Sequence, residues 1–184
     1  PGNNMYFAEK KEYRPELFPS TPVKNYAFKN NGDLSFTNNT DKWGFEEPTL
    51  SNGMAYGDFD NDGDLDFVIS GATASGEITE IWRNTNGVFA KLTTGTTAIL
   101  GVSLSSLAWA DFDNDGDLDL IVAGKRITSY FTKIYRNDLV GTTATFVDLG
   151  VDLPGVQNAS LAMGDYDGDG DLDLLLTGEY TDGT

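Results

Sequence analysis

The feature that most constrains this chain is an aspartate-rich nonapeptide that occurs three times. The copies span residues 58–66, 111–119 and 165–173, and each has aspartate at its first, third, fifth, seventh and ninth positions. Their first residues lie 53 and then 54 positions apart (111 − 58 and 165 − 111). A fixed period of this length is typical of repeat architectures, in which each unit packs on the next. We therefore expect an array of similar structural units.

The segments around each loop resemble short strands. An apolar segment precedes the first loop at 54–57, and an apolar run that ends in glycine follows it at 67–71. Two later strand-like segments flank Asn86-Gly87, a dipeptide that strongly favours a two-residue β-hairpin. The second copy has its strand-like segments in the same order. We therefore predict an all-β chain with four antiparallel strands in each period.

The repeats also divide the chain. The order of aromatic and loop residues around Phe28 matches the late half of a repeat, and the third repeat stops before its late half. The predicted segments are an N-terminal linker or donated strand at 1–24, the late strands of a partial repeat at 25–50, repeat 1 at 51–103, repeat 2 at 104–157 and partial repeat 3 at 158–184.

The loops have the composition of a site for a hard cation. Five carboxylates in nine residues repel one another unless a cation lies among them, and oxygen ligands in a flexible loop favour Ca²⁺ over Mg²⁺. Glycine at the sixth position allows a sharp bend, and the seventh residue is expected to offer its backbone carbonyl. About three structural Ca²⁺ ions are predicted. The predicted ligands are Asp58, Asp60, Asp62, Asp64, Asp66, Asp111, Asp113, Asp115, Asp117, Asp119, Asp165, Asp167, Asp169, Asp171 and Asp173.

An EF-hand is excluded by the twelfth position of the loop. An EF-hand places glutamate there, between two helices. The three copies instead have Ile69, Val122 and Leu176, which lie in strand-like segments.

The composition excludes several other functions. The chain has no cysteine and no histidine, so it can hold neither a thiolate or imidazole zinc site nor a Ser–His dyad. Its net charge of −17 argues against nucleic acid and anionic membranes as partners. No stretch approaches the ~20 apolar residues that cross a bilayer, so no membrane insertion is expected in this segment.

With its flanking strands, the aspartate loop resembles the FG-GAP/VCBS repeats of the integrin α-subunit propeller and of bacterial surface proteins. The stretch from Phe28 to Gly32, with Trp43-Gly44 and Asn52-Gly53, is similar to repeats of cartilage-acidic-protein/UnbV-like relatives. The Phe-Gly…Gly-Ala-Pro half of the integrin motif is absent, which favours the bacterial type. The resemblance implies a β-propeller of about seven four-stranded blades, with calcium in the loop between the first two strands of a blade. Further blades or an oligomer would be needed to close that fold.

Three aromatic residues are candidates for ligand contact. Trp82 and Tyr135 occupy equivalent positions in repeats 1 and 2, and Trp43 lies in a connection between repeats. Core packing is the favoured interpretation of the first two, with sugar stacking as the alternative. The acids outside the loops form no recurring pair of the kind that catalysis needs, so no enzyme activity is expected. These acids include Glu46, Glu47, Glu77, Glu80 and Glu179.

The sequence thus predicts a calcium-stabilised propeller segment of a secreted or cell-surface protein of bacterial type that acts in adhesion or in binding a protein or glycan. Two alternatives stay open, a lectin-like carbohydrate-binding propeller and an accessory domain of a polysaccharide-degrading enzyme.

Overall fold

The computed structural model describes residues 22–45, 48–93 and 99–180. Within these ranges the chain forms strands and loops without a helix, so the all-β prediction is confirmed. The strands are β1 Val23–Lys24, β2 Phe28–Asn30, β3 Phe36–Asn38, β4 Pro48–Gly57, β5 Asp66–Thr73, β6 Gly76–Thr85, β7 Val88–Lys91, β8 Ser103–Ala110, β9 Asp119–Arg126, β10 Ser129–Asn137, β11 Phe146–Asp148, β12 Gln157–Gly164 and β13 Asp173–Glu179.

The strands form antiparallel sheets, which we call blades. In the first blade β4, β5, β6 and β7 follow one another, and β1 is added beside β4. The second blade has the order β8-β9-β10-β11, and the third consists of β12 and β13. Strands β2 and β3 form a separate two-stranded sheet, which with β1 we call the N-terminal hairpin. Four antiparallel strands per blade were predicted, and the first two blades confirm this.

The hairpin between β6 and β7 shows how the sequence sets the strand connections. Asn86 and Gly87 both have positive φ, 54° and 81°. Two such residues form the turn type whose twist matches that of the flanking strands. The pairing of Thr85 with Val88 then fixes the register of the whole strand pair.

The core lies between the first and second blades. Phe59, from the first loop, packs against Trp109 of β8 and Phe146 of β11, with both pairs of ring centroids 5.9 Å apart. Gly57 allows Leu118 and Trp109 to pack closely against β4, because a Cβ at that position would lie 2.8 Å from Cδ1 of Leu118 and 3.0 Å from Cδ1 of Trp109. The indole Nε1 of Trp109 donates to the carbonyl oxygen of Ala55 at 3.3 Å. The apolar face of one blade is therefore buried by the next, as in a segment of a β-propeller.

A repeated backbone contact joins each blade to the next. Ile78 of the first blade pairs with Val102 just before the second, and Phe131 of the second pairs with Val156 just before the third. Strand β1 and the start of β4 form the equivalent contact, in which Val23 pairs with Thr49. The register of this pair differs by one residue from that of the other two contacts. Strands β1 and β2 therefore correspond to the third strand of a blade that precedes the first.

The remaining predictions concern the N-terminal segment, two acids outside the loops, and membrane insertion. Residues 1–21, Glu46 and Glu47 lie outside the described residues, so the interpretation of 1–24 as a linker or donated strand stays a prediction. No helix in the described ranges is long and apolar enough to cross a membrane.

Candidate metal centres

Each aspartate loop joins the first two strands of a blade. The first loop (58–66) links β4 to β5, the second (111–119) links β8 to β9, and the third (165–173) links β12 to β13. The sixth residue of each loop is a glycine with φ of 92°, 93° and 97° in turn. Residues with a Cβ rarely adopt this backbone conformation, so the glycine makes the bend possible.

The fourth position of each loop is also left-handed. Asn61 and Asn114 have φ of 55° and 59°, and Gly168 has φ of 78°. Asparagine tolerates this region better than most residues, because its short side chain can bond locally. The third loop therefore keeps the same turn although its fourth residue differs.

The first aspartate of each loop organises the turn. Asp58 accepts hydrogen bonds from the backbone N–H of Asp62 through Oδ1 (3.1 Å) and of Gly63 through Oδ2 (2.9 Å). Asp111 accepts the equivalent pair in the second loop, at 3.1 and 3.0 Å, and Asp165 does so in the third, both at 3.1 Å. Because these bonds fold the loop back on its first residue, they bring the alternate carboxylates to one side.

The carboxylates converge in all three loops. Three groups of three aspartates each have one oxygen per residue within 4.8 Å of the others, namely Asp58, Asp60 and Asp62, then Asp111, Asp113 and Asp115, and finally Asp165, Asp167 and Asp173. The first two groups use the first, third and fifth positions of the loop. The third group uses the ninth position in place of the fifth.

The ninth aspartate ties the loop to the sheet. Asp66 is buried and accepts hydrogen bonds from the backbone N–H of Phe59 (3.1 Å) and of Asn84 on β6 (2.7 Å). Asp119 accepts the equivalent bonds from Phe112 (2.9 Å) and Asn137 (2.8 Å). Burial raises the pKa of Asp66 to about 7 and also raises that of Asp119, while the backbone donors oppose the shift. Sequence reasoning assigned these residues to metal alone and missed the anchoring bonds.

The seventh aspartate connects its loop to neighbouring segments. Asp64 Oδ2 accepts from the backbone N–H of Asn86 (2.6 Å), which holds the first loop against the β6–β7 turn. Asp117 Oδ1 accepts from Asn61 Nδ2 of the preceding loop (3.1 Å), and Asp171 Oδ1 accepts from Asn114 Nδ2 (2.7 Å). The asparagine at the fourth position of one loop thus contacts the seventh aspartate of the next. The prediction that these aspartates bind metal through their backbone carbonyls stays a prediction.

The third aspartate of the first loop has a cationic neighbour. Asp60 is 1% exposed, and its Oδ2 lies 2.7 Å from Nε of Arg83. The guanidinium of Arg83 also lies over the ring of Phe59, 5.8 Å from its centroid. Burial raises the pKa of Asp60, and the charge of Arg83 acts in the opposite direction. The first loop therefore already has one positive charge at its buried side.

The donor set suits a hard cation. Each cluster offers only carboxylate oxygens, which prefer Ca²⁺, Mg²⁺ or Mn²⁺ to softer metals. The loops are held by backbone hydrogen bonds, and most of the clustered carboxylates are partly or fully exposed. The three clusters could therefore each hold one metal ion.

The aromatic candidates lie in different environments. Tyr135 is buried in the core, and its hydroxyl accepts a hydrogen bond from the backbone N–H of Leu100 (2.9 Å). Trp82 is partly buried and stacks on Phe67, with ring centroids 5.9 Å apart. Trp43 is also partly buried and meets Phe89 edge to face at 5.7 Å.

Comparisons with known proteins identify the repeat. The model of the FG-GAP-like repeat matches residues 14–69 and 70–122, which together form more than half of the 184 residues. Each match ends in the strand after an aspartate loop, and the third loop lies outside both. Comparison of the chain with curated proteins found no match. The chain belongs to the FG-GAP-like repeat family.

Proposed function

We propose that the chain is a calcium-binding β-propeller module in which the metal is structural. The observation that carries this proposal is the convergence of three aspartates in every loop, each within 4.8 Å of the others. Bound calcium would neutralise the repelling carboxylates and fix the connection between the first two strands of each blade. Folding and metal binding are then coupled, because the unfolded chain has no preformed site.

Removal of calcium tests the structural role. A ligand present at about 100 times its Kd adds about 2.7 kcal/mol per site. For a chain of this size about 1 kcal/mol changes the Tm by roughly 2–4 °C. Scanning calorimetry in calcium and in EDTA should therefore show a Tm lower by at least about 10 °C after chelation. An unchanged Tm would contradict the proposal.

Calorimetric titration tests the sites one by one. Wild-type protein should bind one Ca²⁺ per loop, and Asp58→Asn, Asp111→Asn and Asp165→Asn should each remove one equivalent. Asp152→Asn, at an exposed position outside the loops, is the matched control and should leave the stoichiometry unchanged. If a loop variant retains the full stoichiometry, that loop is not a calcium site.

We further propose that the module belongs to a secreted or cell-surface protein of bacterial type and is not itself an enzyme. Extracellular calcium modules bind with Kd of about 10⁻⁴–10⁻³ M, so a measured Kd in that range supports the location and a submicromolar value opposes it. Three acids outside the loops have structural partners, since Glu77 accepts from Ile127 N, Glu80 pairs with Lys91 and Glu179 accepts from Gln157. These contacts support a non-catalytic role.

The proposed partner of the module is a protein or glycan at the cell surface. Trp43 is our candidate contact, because it lies in the connection between the N-terminal hairpin and β4, and connections often carry function. Protein and glycan arrays should show binding by the wild type that Trp43→Ala reduces at least about tenfold. Leu34→Ala, a truncation at an exposed apolar residue, is the control. Equal binding by Trp43→Ala would remove Trp43 from the site.

A further inference from the structure

A side-chain hydrogen bond joins each aspartate loop to the next one along the chain. The amide Nδ2 of Asn61, in the first loop, donates to Oδ1 of Asp117 in the second loop at 3.1 Å. Asn114 of the second loop donates in the same way to Oδ1 of Asp171 in the third loop at 2.7 Å. In both cases the donor is the fourth residue of its loop and the acceptor is the seventh residue of the next. The contact therefore repeats from one pair of loops to the next.

Both ends of the first bond are tied to carboxylates of a candidate metal centre. Asn61 lies in the chain between Asp60 and Asp62, two members of the first cluster. At the other end, the backbone N–H of Asp117 donates to Oδ1 of Asp115, a member of the second cluster, at 2.9 Å. A continuous path of covalent and hydrogen bonds thus leads from one cluster to the other. A cation held by Asp60 and Asp62 would restrict the donor at the start of this path.

Asn137 holds the backbones of the first two loops together. Its Nδ2 donates to the carbonyl oxygen of Phe59 in the first loop at 2.8 Å and to that of Leu118 in the second at 3.3 Å. Because Asn137 is fully buried, these bonds are shielded from water. The bond from Asn61 to Asp117 is exposed instead, and exposed bonds open locally at low cost. It is therefore the part of the connection that the ordering of a loop can make or break.

One buried oxygen indicates that the first cluster accepts a cation. Asp60 is 1% exposed, and among the described residues its Oδ1 has no hydrogen-bond partner. Buried polar atoms without a partner are rare in proteins. A cation among Asp58, Asp60 and Asp62 would supply the missing partner. This oxygen points to a ligand independently of the clustering of the acids.

We propose that the loops bind calcium with positive cooperativity, because the asparagine at the fourth position transmits order from one loop to the next. The inference rests on the proposed calcium-binding function. In the metal-free chain, the entropy lost in ordering Asn61 and Asp117 opposes binding at both loops. Occupancy of the first loop fixes Asn61, so the second loop then binds with Asp117 already held. By linkage, occupancy of the second loop raises the affinity of the first by the same factor.

Charge alone predicts the opposite sign of coupling. A cation in one loop weakens the negative potential that attracts a cation to the next, but salt screens this effect over about 8 Å at physiological ionic strength. The hydrogen-bonded path is local and is not screened in this way. We expect occupancy of the first loop to raise the affinity of the second roughly three- to tenfold, the range that one net hydrogen bond supports. A higher KCl concentration should increase this factor, since it removes the opposing effect.

The third loop supplies the variant that tests this path. Gly168 occupies its fourth position with φ of 78° and has no side chain that could donate. Asn61→Gly therefore removes the donor and keeps a left-handed turn that the chain already uses. Asn61→Asp keeps the size of the side chain but places a carboxylate against Asp117, so it should reverse the sign of the coupling. Asn114→Gly, the same change one loop later, is the matched control, because it leaves the bond to Asp117 intact.

Calorimetric titration with calcium measures the coupling in chains whose third loop is disabled by Asp165→Asn. The chain with two intact loops gives the overall constant for two ions, and chains that also carry Asp58→Asn or Asp111→Asn give the single-loop constants. The overall constant divided by the product of the single-loop constants is the coupling factor. It should be roughly three to ten without a further change and with Asn114→Gly, but about one with Asn61→Gly.

The outcomes separate this inference from the calcium proposal. A coupling factor that Asn61→Gly removes and Asn114→Gly preserves supports the inference. A factor of about one before any change at Asn61, or a larger one that Asn61→Gly leaves unchanged, overturns it. Failure of the single-loop chains to bind calcium would contradict the calcium proposal, and this inference with it. Binding by each single loop without coupling would overturn this inference alone.

Discussion

The first and second loops have the same nine residues but different surroundings. In the first, Asp60 is buried and lies 2.7 Å from Nε of Arg83. In the second, Asp113 is exposed, and the equivalent Arg136 pairs instead with Asp138, at 2.7 Å from Nε to Oδ1 and 3.2 Å from Nη2 to Oδ2. The comparison teaches that the nonapeptide determines the turn, whereas residues outside it determine the charge that its third aspartate meets.

Two differences outside the loops account for this contrast. Asp138 follows Arg136 by two residues and offers it a local carboxylate, whereas the position equivalent to Asp138 in the first blade is Thr85. Among the described residues, a complete blade covers the first loop, and the two strands β12 and β13 cover the second. Arg83 therefore turns to the buried carboxylate, and Arg136 does not.

The largest expected effect concerns the aromatic second residue of each loop. Phe59→Ala should lower the free energy of unfolding by about 3–5 kcal/mol, because it empties a fully buried site between Trp109 and Phe146. Phe112→Ala should cost about 1 kcal/mol, because the side chain is only partly buried. Urea unfolding of both variants checks the contrast. Equal costs of the two variants would show that the two loops are covered alike, contrary to the structure.

Much of the fold could be predicted from the repeat period. Asn86-Gly87 and the loops at a spacing of 53 and 54 residues predicted four strands per blade and the place of each loop between two strands. The contacts between blades were not predictable, because they join residues far apart in the chain. The bond from Asn137 Nδ2 to the carbonyl oxygen of Phe59 spans 78 positions, and no local pattern indicates it.

The candidate sites were predicted less completely than the fold. Alternate aspartates indicated converging carboxylates, and the structure brings three together in each loop. The bonds that Asp66 accepts from the backbone N–H groups of Phe59 and Asn84 lay beyond sequence reasoning, because a carboxylate that accepts two N–H groups has the same sequence pattern as one that binds metal. Arg83 and Arg136 occupy equivalent positions, and their different partners depend on side-chain packing that the sequence does not display.

The smallest expected effect comes from exchanging the residues that direct the two arginines. Thr85→Asp should draw Arg83 away from Asp60, so calcium affinity at the first loop should rise about threefold, which corresponds to about 0.7 kcal/mol. Asp138→Thr should let Arg136 approach Asp113 and weaken the second loop by a similar factor, because a cation beside a ligand repels the metal. Calorimetric titration checks each loop in a chain whose other two loops carry Asn at their first position. Arg83→Met is the control background, since Thr85→Asp should have a smaller effect there if it acts through the arginine. If Thr85→Asp has its full effect without Arg83, the added charge acts directly, and the arginine does not distinguish the two loops.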